Sequence, residues 1–343
     1  MLLRKMKAVF YALVLFGTLP ACSSNAAAPG ATGYAANPAA QAFIDEMVVQ
    51  HGFDRDELVV VFSQAKRRED ILELMRKPAE KRLEWHEYRK IFLTRSRIDG
   101  GVAFWNANAQ LIEKAEKELG VDAQVVVAII GVETRYGGNT GRHRVIDALS
   151  TLAFDYPPRS KFFRGELEQY LILAREEDID LLTATGSYAG AMGYGQFIPS
   201  SYRNFAIDFD ADGKRDLWSS PADIIGSVAN YMKVHGWTLG TTVATRATVS
   251  GDAWQAVLKQ GLKPHTRIGE LRRAGIEPQT AVPDDSLAAL IELQNTGGPE
   301  YWLGLNNFYV ITRYNHSPLY AMAVYQLSEE IRQAREQAQQ LHD

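Results

Sequence analysis

Residues 125–132 read VVVAIIGV, eight apolar or glycine positions with no polar interruption. A helix apolar on every side is a buried helix. Asp122 stands before it as a candidate N-cap. Glu133 closes the run, followed by Thr134, Arg135, Tyr136 and a Gly137-Gly138 break. Upstream, 39–119 is helical in pattern. Phe43, Met47 and Val48 share a face, and Asp54 with Glu57 makes a capping box for Arg55–Gln64. Ile71, Leu72 and Met75 form a short stripe. Trp85, Tyr88 and Phe92, spaced i, i+3, i+7, are either core or the wall of a cleft. The pattern over 104–119 predicts one helix ended by Gly120. Further helices are predicted over 148–154, 162–176, 221–237 and 320–335. From 239 to 305 the pattern turns extended: β-branched 242–249, then 287–293 and 301–305 about an Asn295-Thr296-Gly297-Gly298 break. The elements predict a mainly α protein with a small β lobe.

The N-terminus reads as an export signal. Arg4, Lys5 and Lys7 precede a short apolar run, 8–19, too short for a membrane span of roughly 20 residues. Leu19-Pro20-Ala21-Cys22 resembles a bacterial lipobox, so Cys22 is a candidate lipidation site; the alternative is a plain secretory signal with a chance cysteine. Cys22 is the only cysteine, which excludes an intramolecular disulfide. Ser23 follows it, as in lipoproteins delivered to the outer membrane. Residues 22–38, rich in Ala, Gly, Ser, Asn and Pro, read as a flexible tether. Losing three cations with the signal takes the formal charge of −4 to −7. That argues against nucleic acid as a general partner, because such binding comes from neutralising phosphates.

Three stretches carry candidate chemistry. An unpaired buried carboxylate is costly, so Glu133 either pairs, with Arg135 or Arg142, or keeps its proton to higher pH as a general acid. In 186–199, GSYAGAMGYGQFIP, four glycines alternate with Met192, Tyr194 and Phe197. This is either a flexible turn or backbone lining a groove with Gln196 directed into it; no Lys-Ser/Thr follows, so it is not a phosphate loop. In DFDADGKRDLW, Asp208, Asp210, Asp212 and Gly213 match the first half of an EF-hand loop, with Lys214 placed to offer its carbonyl. Position 12 is Ser219 rather than Glu, and Asp223 is the candidate last ligand of a longer loop. An all-oxygen set suits calcium in a structural role; a solvated acidic turn is the plain alternative.

Six motifs in order, GVETRYG (131–137), LSTLAFDYPPR (149–159), GSYAGAMGYGQFIPSSY (186–202), DFDADGKRDLW (208–218), IGSVANYMKVHGW (225–237) and RYNHSPLYAMAVYQL (313–327), resemble the membrane-bound lytic transglycosylase B family. The resemblance spans about 39–335. It implies a lysozyme-like, mostly helical core (120–240) with an EF-hand-like calcium loop at 208–223. A helical lobe (39–119), a small β lobe (241–304) and a C-terminal return (305–343) flank this core. It places the catalytic acid at Glu133, and cleft positions at Tyr88, Arg159, Ser187, Gln196, Tyr231, Tyr314, Asn315 and Tyr320. Calcium ligands fall on Asp208, Asp210, Asp212, Lys214 and Asp223. Two departures stand out: Pro158 replaces the first of two arginines frequent in the family, and the loop is one residue longer before Asp223.

The implied activity is cleavage of peptidoglycan between N-acetylmuramic acid and N-acetylglucosamine with 1,6-anhydromuramyl ends. No organic cofactor is expected, and the expected protein is a monomeric lipoprotein of the outer membrane facing the periplasm. A hydrolytic muramidase on the same scaffold and a non-catalytic glycan-binding lipoprotein are the alternatives. No second carboxylate in a setting like that of Glu133 is legible; Glu166 lies on a polar helical stretch.

Overall fold

The computed structural model describes residues 32–76 and 83–340. The signal and Cys22 lie outside the described residues. Residues 33–38, expected to belong to a flexible tether, are folded onto the protein. A 3-10 turn spans Gly33–Ala36, and Tyr34 and Ala35 are buried. Tyr34 donates to Asp155 and packs on Phe154 with ring centroids 5.5 Å apart. One aromatic ring with a buried surface outweighs the spacer-like composition around it. Among the described residues no helix is long and apolar enough to cross a membrane.

Among the described residues six helices precede the buried one: Pro38–His51, Arg55–Gln64, Glu69–Met75, Trp85–Phe92, Arg95–Ala107 and Ala109–Leu119. Asp54 accepts from the Glu57 amide at 2.9 Å, as its N-cap position requires. A reciprocal capping box forms later, between Glu84 and Glu87. The single helix expected over 104–119 is broken at Asn108. Its side-chain amide donates to the Phe104 carbonyl at 2.9 Å, competing with the helical ladder. Gly120, at φ 68°, ends the second piece.

The central helix is Ala123–Thr134, buried along its length except at Gln124 and Glu133. Asp122 precedes it but does not cap it with its side chain. Its carboxylate instead accepts from Trp237 Nε1 at 2.8 Å, tying the helix start to the end of Pro221–Val234. Pro318–Gln340, Arg95–Ala107 and Pro221–Val234 pack around the central helix. Val145–Asp155 and Ser160–Glu177 pack against each other to form the next layer.

Between 244 and 304 an antiparallel five-stranded sheet runs in the order Thr266–Arg267, Leu287–Asn295, Gly298–Gly304, Ala244–Val249, Ile276–Pro278. Asn295 pairs with Gly298, so Thr296-Gly297 is the two-residue turn expected at that break. Period-2 alternation splits the hairpin. Leu290 and Leu303 enter a small core with Ile268, Leu271 and Ile276. Ile291, Leu293 and Trp302 face the main core.

Candidate active site

Glu133 stands on the last turn of the central helix, where that helix ends in three successive left-handed residues. Arg135, Tyr136 and Gly137 have φ of 53°, 58° and 88°. Two of these are non-glycine, a strained arrangement that surrounding contacts must hold. Tyr136 stacks on Phe104 at 5.6 Å and its hydroxyl donates to the Arg97 carbonyl at 2.8 Å. Gly137 admits no side chain, since a Cβ there would lie 2.0 Å from the Tyr194 ring. Thr134 Oγ1 donates to the Tyr194 carbonyl at 3.0 Å and accepts from the Gly137 amide at 3.1 Å. The corner that presents Glu133 is therefore clamped to the glycine-rich segment.

That segment is an ordered wall. Met192 and Phe197 are buried and pair across it. Ser187 Oγ accepts from the amides of Ala189 and Ala191 at 3.3 and 3.0 Å. Gln196, itself at φ 51°, donates from Nε2 to the carbonyls of Thr140 at 3.1 Å and Gly193 at 2.9 Å. With both amide protons used, its carbonyl oxygen is left for the groove. The resulting cavity, about 460 Å³, is lined by Glu133, Asn139, Gly141, Arg142, His143, Ser187, Tyr188 and Gln196. Size alone does not single it out, because a hollow beside Tyr34 and Asp155 measures about 470 Å³. What distinguishes it is one carboxylate ringed by uncharged polar groups and a cation.

Behind Glu133 stands a tyrosine layer. The Tyr320 hydroxyl donates to Glu133 Oε1 at 2.6 Å. Tyr314 donates to the Gly195 carbonyl, and Tyr231 to the Arg313 carbonyl, each at 2.6 Å. Burial, then the charge of Glu133, pushes the Tyr314 and Tyr320 hydroxyls well above the usual phenol range, so both stay protonated donors. Tyr231 stacks on His235 at 4.1 Å and meets Tyr314 at 4.7 Å. Tyr88 is buried against Phe92, 5.1 Å between centroids. Expected along the cleft, Tyr88, Tyr231 and Tyr320 are buried, and the hydroxyl bonds of Tyr231 and Tyr320 brace the wall from behind.

Of the expected cleft residues, Ser187 and Gln196 share the cavity with Glu133. Arg159 does not line it; exposed, it lies over Phe162 at 4.3 Å. Asn315 also stands outside the lining, its Oδ1 accepting from the Ser317 amide at 3.1 Å. Glu166, read as lying on a polar helical stretch, is on the Ser160–Glu177 helix but turned inward. It is buried, accepting from the Ser200 amide at 2.9 Å and the Ser200 hydroxyl at 2.7 Å. Burial raises its pKa against these hydrogen bonds, yet it is no partner of Glu133 in the cavity. Asn139, Arg142, His143 and Tyr188 line the cavity without having been singled out for it. Their one sequence signal is position, just past the Gly137-Gly138 break or inside the glycine-rich run.

In the acidic loop, Asp208, Asp210 and Asp212 each place an oxygen within 4.8 Å of the others. Ala211 and Gly213, at φ 63° and 93°, turn the backbone so that the carboxylates converge. Three oxygen donors this close fit a hard cation of calcium's type. Lys214 donates its amide to Asp212 Oδ1 at 2.9 Å. Asp223, expected as the last ligand, is not one of the three whose oxygens converge, although the charges of Asp210 and Asp208 reach it. It is fully buried, and its two oxygens accept from the amides of Phe209 and Asp216, each at 2.8 Å. Burial raises its pKa in spite of those bonds. The longer loop brings it under the turn as an internal pin.

Fold and site together define a lysozyme-like protein that presents a single carboxylate from a buried helix over a polar groove. The chain belongs to the lytic murein transglycosylases of the membrane-bound B family. Residues 35–329 match the Transglycosylase SLT domain. It is 47% identical over 313 residues to the membrane-bound lytic murein transglycosylase B of Escherichia coli, covering 89% of this chain and 85% of that one. The Escherichia coli lytic transglycosylase Slt35, solved in complex with calcium, is 48% identical, with a TM-score of 0.81 over 89% of this chain and 96% of that one. SltB3 of Pseudomonas aeruginosa, solved with NAG-NAM-pentapeptide, is 30% identical, with a TM-score of 0.77 over 86% of this chain and 79% of that one.

Proposed function

We propose that this chain cleaves the β-1,4 bond between N-acetylmuramic acid and N-acetylglucosamine in peptidoglycan, leaving 1,6-anhydromuramyl ends. The observation that carries the reading is the solitary carboxylate: among the described residues, Glu133 is the only acidic one in the lining of its cavity. Hydrolytic glycosidases generally need two, set roughly 5–9 Å apart, as acid with nucleophile or base. With one, Glu133 protonates the glycosidic oxygen as the C1–O bond breaks. The muramyl N-acetyl oxygen stabilises C1. The Glu133 carboxylate then takes the proton of the muramyl 6-hydroxyl as that oxygen bonds to C1. Atoms balance without water, and Glu133 returns protonated.

Digestion of purified sacculi, read by mass spectrometry, tests this. The expected muropeptides are lighter by one water than those of a hydrolase. Products of hydrolytic mass would establish a muramidase instead, and intact sacculi would leave a glycan-binding lipoprotein.

Ser187, Gln196 and Asn315 serve as glycan contacts on this reading, with Arg159 as a further one outside the cavity lining; Tyr88, Tyr231, Tyr314 and Tyr320 support the wall. The cation loop braces the core and holds calcium through Asp208, Asp210, Asp212 and the Lys214 carbonyl. Chelation is expected to lower the melting temperature by roughly 5 °C or more, since binding to the native state stabilises it by mass action. Asp210→Ala should show the same loss without chelator and no recovery on adding calcium; an unchanged melting temperature in both would refute a structural cation. The envelope is the place of action. Lipidation at Cys22 would hold the enzyme at the outer membrane, facing the periplasm.

A further inference from the structure

The groove wall holds a histidine that the proposed chemistry does not use. His143 lines the cavity with Glu133 and pairs with Gly186 across two short antiparallel strands, His143–Arg144 and Thr185–Gly186. It is 8% exposed. Its Nδ1 is sealed from solvent with no hydrogen-bond partner, an arrangement that costs stability unless something is gained. Asp70 Oδ2, from the Glu69–Met75 helix, faces that nitrogen at 4.0 Å. Asp70 is itself held by the Arg68 guanidinium, through Nε at 3.1 Å and Nη2 at 2.8 Å.

The charged groups around the ring are Arg68, Asp70, Arg142 and Asp147. Burial holds the imidazole below its ordinary pKa; Arg68 and Arg142 act in the same direction, and Asp70 and Asp147 oppose. Arg68 in turn keeps Asp70 ionised by holding its pKa down. A neutral imidazole carries one N–H, and a facing carboxylate only accepts. The proton therefore belongs on Nδ1, toward Asp70, which leaves Nε2 as a lone-pair acceptor on a ring that lines the groove. The neighbouring Gln196 amide has spent its donors on backbone.

We infer that His143 is a substrate-binding residue, an uncharged acceptor aimed by Asp70 at a hydroxyl or amide N–H of the sugar bound beside Glu133. The inference rests on the groove being a glycan site. It also gives the helical lobe a part in recognition, through Arg68 and Asp70.

The test compares wild type, His143→Phe and His143→Gln on peptide-free glycan strands between about pH 5 and 8. His143→Phe keeps the ring volume and loses the acceptor; KM should rise about 3- to 10-fold, the range of one hydrogen bond, with kcat within about 2-fold. His143→Gln keeps an acceptor oxygen and a KM near that of wild type. In wild type KM should climb toward acid pH, as a protonated ring turns from acceptor to donor; His143→Gln should lack that climb. An unchanged KM in His143→Phe, or the same acid climb in His143→Gln, overturns the inference. A merely structural histidine would move the melting temperature and leave the pH dependence of KM alone. Glycan binding to the Glu133→Gln protein, with and without His143→Phe, decides the matter independently of turnover. Absence of wild-type cleavage would thus sink the transglycosylase reading without touching this one.

Discussion

Glu133→Gln should fold, bind glycan strands and release about 10³-fold less muropeptide than wild type, or fewer. General acid–base catalysis contributes about 10²- to 10⁴-fold in enzymes, and here one group would serve both steps. The substitution keeps the side chain's shape. The Tyr320 hydroxyl, which donates to Oε1 at 2.6 Å, can donate equally to an amide oxygen. Tyr320 keeps its acceptor, so the melting temperature should stay close to wild type. A purified Glu133→Gln protein that clears sacculi at more than a few per cent of the wild-type rate would remove Glu133 from the mechanism. Loss of activity with loss of folding would be uninformative, which is why the thermal melt belongs to the same experiment.

Tyr320→Phe should carry the second largest effect. It deletes one oxygen, the donor that holds the Glu133 carboxyl. Hydrogen bonds to charged groups are worth about 1.5–3 kcal/mol, so kcat should fall roughly 10- to 100-fold with KM little changed. Tyr320 is buried and its hydroxyl stays protonated far above neutral pH, so it acts as a positioning donor over the whole working range. A kcat equal to wild type would show that Glu133 is held without it. Tyr231→Phe is a useful contrast, because it removes a bond to the Arg313 carbonyl one layer farther back and should cost less activity.

Parts of this site could be read directly because their cause is local. The run from Val125 to Val132 can only be a buried segment, and the helix Ala123–Thr134 is buried along nearly its whole length. The alternation of glycine with Met192 and Phe197 encodes a wall with buried anchors, and both residues are sealed. The spacing of Asp208, Asp210 and Asp212 encodes convergence through turn geometry alone. Other parts resisted because a competing interaction decided them. Asn108 breaks a helix that hydrophobic spacing continues, and Tyr34 pins a segment whose composition is that of a spacer. Asp122 looks like a cap and binds Trp237. Asp223 looks like a ligand and accepts two backbone amides. Glu166 stands in a polar run, yet the helix turns that position inward to Ser200.

Glu133 marks the boundary between the two kinds of knowledge. That a carboxylate ends an apolar helix is legible along the chain, since burial of that stretch follows from its composition whatever surrounds it. Whether the carboxylate is paired with an arginine next door or held over a groove was not decidable there, because the groups that answer are far away in the chain. Tyr320, which holds Glu133, is 187 residues distant. The Tyr194 carbonyl that clamps the helix end is 60 residues from Thr134. Asp70 reaches His143 from the Glu69–Met75 helix. Only the tertiary structure brings these atoms within hydrogen-bonding distance or close to it. Such interactions fall off within a few ångströms, so no pattern along the chain can stand in for that approach.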